Sequence, residues 1–296
     1  MVKISVVVPG YNEEKSLPLL ADKVGKAFRA NRLSGELLIV DDGSTDNTLK
    51  VLEQLKKKHK FMRYIGHRIN LGLTQSLTDL FRNAKGEIIV FLPADLESDP
   101  EEDIPILVKK IEEGYDVACG WRQNRKEAKL VMSRVYNWLL RILFKINLHD
   151  ANWIKAFRRE TVSNLNLRSD WHRYLPILIA AKGYKVGEVA VGYKPRPFGK
   201  SKYGIGRLVK GLIDMLVIKF LLSFGRKPMF VFGSLGLVLF VIGLVIGLYL
   251  LYYQQFVGSI SRPLLTFDML VLLVSLQLFA MGFLAELIIA SKEGDL

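Results

Sequence analysis

Cysteine is almost absent from this chain. Cys119 stands alone among 296 residues, so no internal disulfide can form, which fits a reducing compartment. It follows the apolar-rich run Tyr115–Ala118 and is expected to be a buried packing residue, not a catalytic thiol. Histidine is scarce as well. His59, His67, His149 and His172 show no metal-ligand spacing and read as structural or surface residues, with His149 and His172 the two that could border a site. The N-terminus lacks a signal-peptide pattern, because its first apolar run is a short strand beginning at Ile4. Charge is missing from the C-terminal region: residues 229–296 hold only Arg262, Lys292, Asp268, Glu286, Glu293 and Asp295.

That shortage concentrates charge elsewhere. Two of the 42 basic residues and four of the 29 acidic ones lie in 229–296, which leaves 40 against 25 in residues 1–228. The chain therefore pairs a basic domain with an apolar appendage. A positive excess on this scale favours phosphate-bearing partners: nucleic acid, nucleotides or anionic lipid head groups. No recognised nucleic-acid reader motif accompanies it.

Strand and helix patterns alternate up to about residue 120. Strands fit Ile4–Val8, Leu37–Val40, Met62–Ile65, Ile88–Leu92 and Val117–Cys119. Helical periodicity covers Lys15–Arg29, Asn47–His59, Leu73–Asn83 and Glu101–Glu113, with Asp46, Asn47 and Thr48 supplying helix-start chemistry. Such alternation predicts an α/β fold with a doubly wound, mostly parallel sheet.

Beyond residue 120 the character changes. Lys129–Leu148 places Val131, Val135, Trp138, Leu139, Ile142 and Leu143 at helical spacing, with Arg134, Arg141 and Lys145 between them. This basic amphipathic helix either lies on a membrane surface or packs on the sheet. Ile205–Phe224 is a second interfacial candidate, with Arg207, Lys210 and Lys219. Met229–Tyr253 is an uncharged run of 25 residues, about 37 Å as a helix and long enough to span a bilayer with some tilt. Leu264–Ala290 predicts a second span. Arg226 and Lys227 before the first span and Lys292 after the second place both ends in the cytoplasm by the positive-inside rule. Gly243 and Gly247 form a GxxxG on the face that also carries Gly236. They serve close packing within the hairpin, packing between subunits, or neither.

The most informative stretch is Glu36–Thr48, ELLIVDDGSTDNT. An apolar strand stops at two adjacent carboxylates, Asp41 and Asp42, followed by a glycine and turn formers. In open α/β sheets ligands bind at the carboxyl ends of strands. The strand Ile4–Val8 ends likewise in PGYNEE, so two strands feed polar turns beside one crevice.

VVVPGYNEE (Val6–Glu14), IVDDGSTDNT (Ile39–Thr48), FLPADLESDP (Phe91–Pro100) and KPRPFGKSKYG (Lys194–Gly204) together resemble the family 2 glycosyltransferases of GT-A fold. More narrowly, they resemble polyprenyl- or dolichyl-phosphate sugar synthases with two C-terminal membrane helices, and the likeness covers the whole chain. It implies a cytoplasmic GT-A domain over 1–204, an amphipathic juxtamembrane segment over 205–228 and a transmembrane hairpin over 229–296. The activity implied is inverting transfer of one sugar from a UDP- or GDP-linked donor to a polyprenyl or dolichyl phosphate in the bilayer.

The resemblance also implies roles. Pro9, Tyr11, Glu13, Asp41, Asp42 and Gly43 would line the donor nucleotide pocket. Gly72, in the Asn70-Leu71-Gly72 turn, would let backbone approach the nucleotide. The family's metal motif has two carboxylates two residues apart. Here its first position is Pro93, so Asp95 becomes the principal ligand of Mg²⁺ or Mn²⁺, with Glu97 either a replacement ligand or an exposed turn acid. A lipid monophosphate is largely dianionic near pH 7, so it needs a cationic cradle more than a strong base. Arg122, Lys129, Ser133, Arg134, Arg196, Lys200, Ser201 and Lys202 are the candidates; Lys129 and Ser133 match the family's Arg/Ser pair in spacing only. Asp150 falls where the family has an active-site acid, or else caps the loop His149–Asn152. HRYLP at His172–Pro176 matches a segment common in these enzymes and braces the acceptor side. The rivals are a noncatalytic membrane-anchored nucleotide-sugar-binding protein and a processive polysaccharide synthase, but no tryptophan here follows the latter's QxxRW pattern. Association through the membrane helices would make a homo-oligomer.

Overall fold

The structure is a computed structural model and describes residues 3–123, 138–163, 165, 167–168, 170–198, 206–225, 227–258 and 261–293. Of the residues singled out above, Lys129, Val131, Ser133, Arg134, Val135, Lys200, Ser201, Lys202, Ile205, Arg226 and Asp295 lie outside the described residues. The chain separates into two compact units, Met1–Leu212 and Ile213–Leu296.

The first unit is built on a seven-stranded sheet ordered β3-β2-β1-β4-β6-β5-β7. Its strands are β1 (Ile4–Gly10), β2 (Gly35–Asp41), β3 (Met62–Gly66), β4 (Ile88–Phe91), β5 (Val117–Arg122), β6 (Lys155–Arg158) and β7 (Val186–Val191). β6 runs antiparallel to both its neighbours and every other pairing is parallel. Between them run α1 (Leu17–Ala30), α2 (Thr48–Lys58), α3 (Leu73–Asn83) and α4 (Pro100–Glu112). Val6, Val7 and Val8, with Leu37 to Val40, have no exposed surface. Continuous β-branched and aliphatic runs of this kind suit parallel strands covered on both faces. The five expected strands and four expected helices all form, with no end shifted by more than three residues and α3 matched at both ends.

β1 marks the switch point of the sheet. Its ladder to β4 ends at Val7 opposite Phe91, whereas its ladder to β2 continues to Gly10 opposite Asp41. Pro9, which has no N–H to give, therefore falls beyond the last β4 pairing. In open α/β sheets, ligands bind at such a switch point, beyond the strands' carboxyl ends.

After β5 the sequence expectations are less complete. β6 and β7 were not foreseen. The helix expected to reach Leu148 is helical over 138–144 and stops at Lys145, whose φ of 55° is left-handed. That break frees Ile146–Leu148 to turn into the loop carrying Asp150. Trp138 and Ile142 are exposed, while Leu140 is buried. The unit continues through α5 (Arg159–Val162), a 3-10 turn at Trp171–Tyr174 and α6 (Leu175–Ala180) to the start of α7 (Gly206–Phe224).

The second unit holds the rest of α7 and two long helices, α8 (Pro228–Val257) and α9 (Arg262–Glu293). Both long helices are long and apolar enough to cross a membrane. They extend past the expected spans 229–253 and 264–290, because helical geometry continues through polar ends that the hydrophobic window excludes. Their pairing is antiparallel. A Cβ on Gly236 would meet Phe279 and the Ser275 carbonyl, one on Gly243 would meet Leu272, and one on Gly247 would meet Asp268. The glycine face is therefore used within the hairpin. On α7, Met215 and Ile218 are buried, while Ile213, Leu216 and Val217 form an exposed apolar stripe.

Candidate active site

Three groups of side chains gather at the carboxyl edge of the sheet. The first surrounds β2. Asp41 is buried and its Oδ1 accepts the Ser44 amide and hydroxyl. These bonds leave Oδ2 free of described partners. Asp42 behaves differently, because both its oxygens are engaged within the protein. Oδ1 accepts the Leu71 amide at 2.9 Å and contacts His67 Nδ1 at 2.8 Å, and Oδ2 accepts the Gly72 amide at 2.9 Å. Asp42 thus ties the turn after β3 to the end of β2. His67, read from sequence as structural or surface, borders the site through this bond and also contacts Asp79 at 3.2 Å.

The glycines here have separate reasons. Gly43 has φ 69°, and a Cβ would fall 2.4 Å from the Ile69 carbonyl carbon and 2.7 Å from the Asn70 nitrogen. Only glycine fits. Gly72 has φ 87° with no protein atom within 4 Å of a Cβ, so its need is conformational and the space beside it is open. From β1, the Glu13 amide donates to Thr48 Oγ1 at 2.9 Å and the Asn12 side-chain oxygen accepts from the Thr45 amide at 2.8 Å. The two polar turns foreseen in sequence are thereby laced together, with half-buried Pro9, Tyr11 and Glu13 along them. At the start of α2 the side chain of Asp46, and not that of the N-cap residue Asn47, accepts the Thr48 amide at 2.9 Å.

The second group follows β4. Asp95 and Glu97 flank Leu96, a buried residue with φ 59°. A branched apolar side chain in the left-handed region is strained, and the turn is secured by the Glu97 amide on Asp95 Oδ1 at 3.2 Å. Arg196 reaches both acids, with Nη2 2.8 Å from Asp95 Oδ2 and Nε 2.5 Å from Glu97 Oε1. The Lys194 amide also donates to the Glu97 carbonyl at 2.9 Å. The root of the KPRPFGKSKYG loop is therefore fastened to the acidic turn. Burial pushes the Asp95 carboxyl up to about 6, and the nearby Glu97 and Glu13 charges push the same way against Arg196. Glu97 is not merely an exposed turn acid, since its side chain is 12% accessible.

The third group joins β5 to the loop before β6. Arg122 grips Asp150 with two bonds, Nε to Oδ2 at 2.6 Å and Nη2 to Oδ1 at 3.2 Å. Its guanidinium also lies 4.4 Å from the Trp153 ring centre. A forked, stacked arrangement of this kind holds the guanidinium in one orientation. Asp150 additionally accepts the Asn152 amide at 3.3 Å, so it caps its loop while it holds Arg122. Trp121 stacks on His149 at 4.2 Å, and His149 pairs with Glu188 of β7. Lys155 is buried beneath, donating to the Trp153 carbonyl at 2.7 Å. Burial pulls its ammonium down to about 8. Sequence reading missed it, because only the pairing of β6 with β4 and β5 brings it inside. Cys119 is buried as expected, and burial pushes its thiol up to about 12, away from nucleophilic use.

Asp95 and Glu97 offer a hard divalent cation two oxygen ligands. Among the described residues, no three His, Cys, Asp or Glu side chains gather around one point. Substrate phosphate oxygens would have to complete a shell, which Mg²⁺-type sites commonly require.

The family model described as glycosyl transferase family 2 matches residues 5–170. The chain belongs to this family. A dodecaprenyl-phosphate galacturonate synthase from Rhizobium johnstonii is 33% identical, over 99% of this chain and 90% of the relative. An undecaprenyl-phosphate 4-deoxy-4-formamido-L-arabinose transferase from Proteus mirabilis is 30% identical, over 97% and 88%. These relatives are polyprenyl-phosphate sugar transferases, and the family 2 chain is a glycosyltransferase with that kinship. Among solved structures, glucosyl-3-phosphoglycerate synthase from Mycobacterium tuberculosis superimposes with a TM-score of 0.59 at 20% identity, over 73% of this chain and 79% of that one. A further crystal structure of that enzyme, with a TM-score of 0.57 at 21% identity over the same shares, holds Mn²⁺, UDP and glucosyl-3-phosphoglycerate. This likeness establishes the GT-A fold.

Proposed function

We propose that this family 2 enzyme transfers a single sugar, with inversion, from a UDP- or GDP-linked donor to a polyprenyl or dolichyl phosphate at the cytoplasmic face of a membrane. Residues 1–204 form the catalytic domain, 205–228 a juxtamembrane segment and 229–296 the membrane hairpin, with both termini cytoplasmic. The observation that carries this reading is Arg196 bridging Asp95 and Glu97. It makes the acidic turn that faces the donor diphosphate and the basic loop that meets the acceptor phosphate one cluster.

In the reaction a phosphate oxygen of the acceptor forms a bond to the sugar's anomeric carbon. The bond from that carbon to the donor diphosphate breaks, and the nucleoside diphosphate leaves with the electron pair. Because the acceptor is already largely dianionic near pH 7, no residue need remove a proton. Arg122 and Arg196, with Lys129, Ser133, Arg134, Lys200, Ser201 and Lys202, bind the acceptor phosphate. Asp150 orients Arg122, so that a fixed cation meets an incoming anion. Asp41 holds the donor's ribose or base through its free oxygen, with Pro9, Tyr11, Glu13, Gly43 and Gly72 along the same pocket and Asp42 shaping it. Asp95 and Glu97 hold Mg²⁺ or Mn²⁺, which when bound neutralises charge developing on the leaving diphosphate.

The test is direct. Full-length protein in detergent or vesicles, supplied with Mg²⁺ and a polyprenyl phosphate, is given a panel of labelled UDP- and GDP-sugars. The relatives' printed substrates put galacturonate and 4-deoxy-4-formamido-L-arabinose on that panel. Label is expected in the extracted lipid phase for at least one donor, and none across the panel would overturn the proposal.

A further inference from the structure

The segment HRYLP, His172–Pro176, takes no part in the three groups above. Its neighbours are nonetheless specific. Thr74 lies in the first turn of α3, directly after the Gly72 whose amide binds Asp42. The Thr74 hydroxyl accepts the Asp170 amide at 2.9 Å and lies 3.0 Å from His172 Nδ1. Accepting from Asp170 leaves the hydroxyl its own proton for that ring nitrogen.

From the same short stretch, two side chains reach the other way, to the first turns of α7. The Tyr174 hydroxyl donates to the Gly211 carbonyl at 2.5 Å, and the Asp170 carboxylate pairs with Lys210 at 2.5 Å. Tyr174 is wholly buried, whereas Lys210 is more than half exposed. Exposure separates the two contacts. The Gly211 carbonyl lies inside α7 and keeps its helical partner, so Tyr174 adds a second bond to it, made out of contact with water, while the Lys210 pair is exposed and screened by solvent. Tyr174 is therefore the main bond and Asp170 the auxiliary. Asp170 has φ 65°, a left-handed conformation that Asp and Asn tolerate better than other side chains. That backbone turn lets one residue send its amide back to α3 and its carboxylate forward to α7.

We propose that Asp170 and Tyr174 are positioning residues: through the HRYLP segment they fasten the start of α7, the helix that leads in sequence to the apolar spans, to the α3 end of the donor loop. This fixes where the chain leaves the catalytic unit relative to the donor site, which matters for an acceptor held in a bilayer and not for one free in solution. The inference rests on the lipid-acceptor reading above for its consequence, but not for the tether itself.

The experiment uses the full-length protein in phospholipid vesicles and the double variant Tyr174→Phe, Asp170→Asn, which keeps the ring and a residue tolerant of the left-handed turn. Two acceptors are compared, a long polyprenyl phosphate in the vesicles and a short water-soluble prenyl phosphate. KM for the vesicle-held acceptor is expected to rise about fivefold or more, with KM for the short acceptor and for the donor unchanged. An equal rise for both acceptors, or none for either, would overturn the proposal. Hydrogen exchange on the same samples needs no turnover. Amides at 210–212 should exchange about fivefold faster in the variant, while those of β1 and β2 keep their protection. Faster exchange in a protein that labels no lipid would support the tether and sink the lipid-acceptor reading. Unchanged exchange would sink the tether alone.

Discussion

Arg196 touches two carboxylates at once, and the chemistry of the site turns on that contact. A guanidinium between two partly buried acids satisfies them electrostatically, yet it also puts a loop cation beside the two carboxylates proposed to hold a divalent ion. Asp95 is the more demanding partner, since burial and two neighbouring acids already push its carboxyl up to about 6. Removing it leaves Glu97 as the only carboxylate of the turn, because Pro93 occupies the other motif position. Asp95→Ala is expected to lower turnover by about 10²-fold or more, the scale seen when a group stabilising developing charge is lost. Glu97→Ala should cost less, because Asp95 still remains. Initial rates across a MgCl₂ titration would check both variants, and an unchanged rate for Asp95→Ala would remove it from the catalytic centre. Much of this was legible beforehand. Asp95, Glu97, Asp150, Arg122 and Arg196 stand out in the sequence as charged residues in turns. Their pairings do not, because Arg196 meets Asp95 across 101 positions, and only a folded sheet sets that register.

At the level of elements, legibility followed periodicity. β1, β2 and β4 are largely apolar runs and α1 to α4 carry helical stripes, while β3 (Met-Arg-Tyr-Ile-Gly) is more mixed. β6 is four residues of mixed character, Lys-Ala-Phe-Arg, and owes its strand geometry to pairing between β4 and β5. A buried lysine inside it argues against a strand until the fold provides the Trp153 carbonyl as partner. α4 shows a local conflict of another kind. Asp99 caps its start, accepting the Glu101 amide at 3.2 Å, and Pro100 follows in the first turn. Asp103, one turn in, is buried and accepts the Asp99 amide at 2.8 Å. Burial, with the Asp99 and Glu102 charges, pushes its carboxyl from the ordinary 3.8 up to about 7, against that hydrogen bond and the Lys194 charge. The folded state therefore binds this proton more tightly than the unfolded chain. Its contribution to stability is full below the ordinary aspartate range and is lost as pH climbs toward about 7. Asp103→Asn, which stays neutral and can still accept the amide, should leave the unfolding midpoint near wild type at pH 4. Above pH 7 it should raise the midpoint, by at most about 4 kcal/mol of stability. Thermal unfolding of the purified protein across that range checks the sign, and a gain confined to acid pH would refute it.

For the whole molecule, the open question in the sequence was what the glycines of the first long helix are for. Composition alone allowed a contact within the hairpin, a contact between subunits, or no contact. The structure engages them inside the second unit: Gly243 and Gly247 face Leu272 and Asp268, and Gly236 faces Ser275 and Phe279. Asp268 is buried at this seam. In a bilayer, where apolar side chains gain nothing by leaving lipid for each other, helix pairs depend on such close backbone approach. A polar side chain at the seam adds to the penalty for separating the helices. A side chain at Gly243 would have its Cβ 2.5 Å from Leu272 Cδ2, so Leu272 or the whole helix must move. Gly243→Leu is expected to destabilise the hairpin by about 1–3 kcal/mol, the usual cost of overpacking. The thermal midpoint in detergent should fall by several degrees, with the oligomeric size by light scattering unchanged. The reverse result, a preserved midpoint with a drop in oligomeric size, would mean that this face binds a second copy of the chain. It would return the GxxxG to the intersubunit role that the sequence left open.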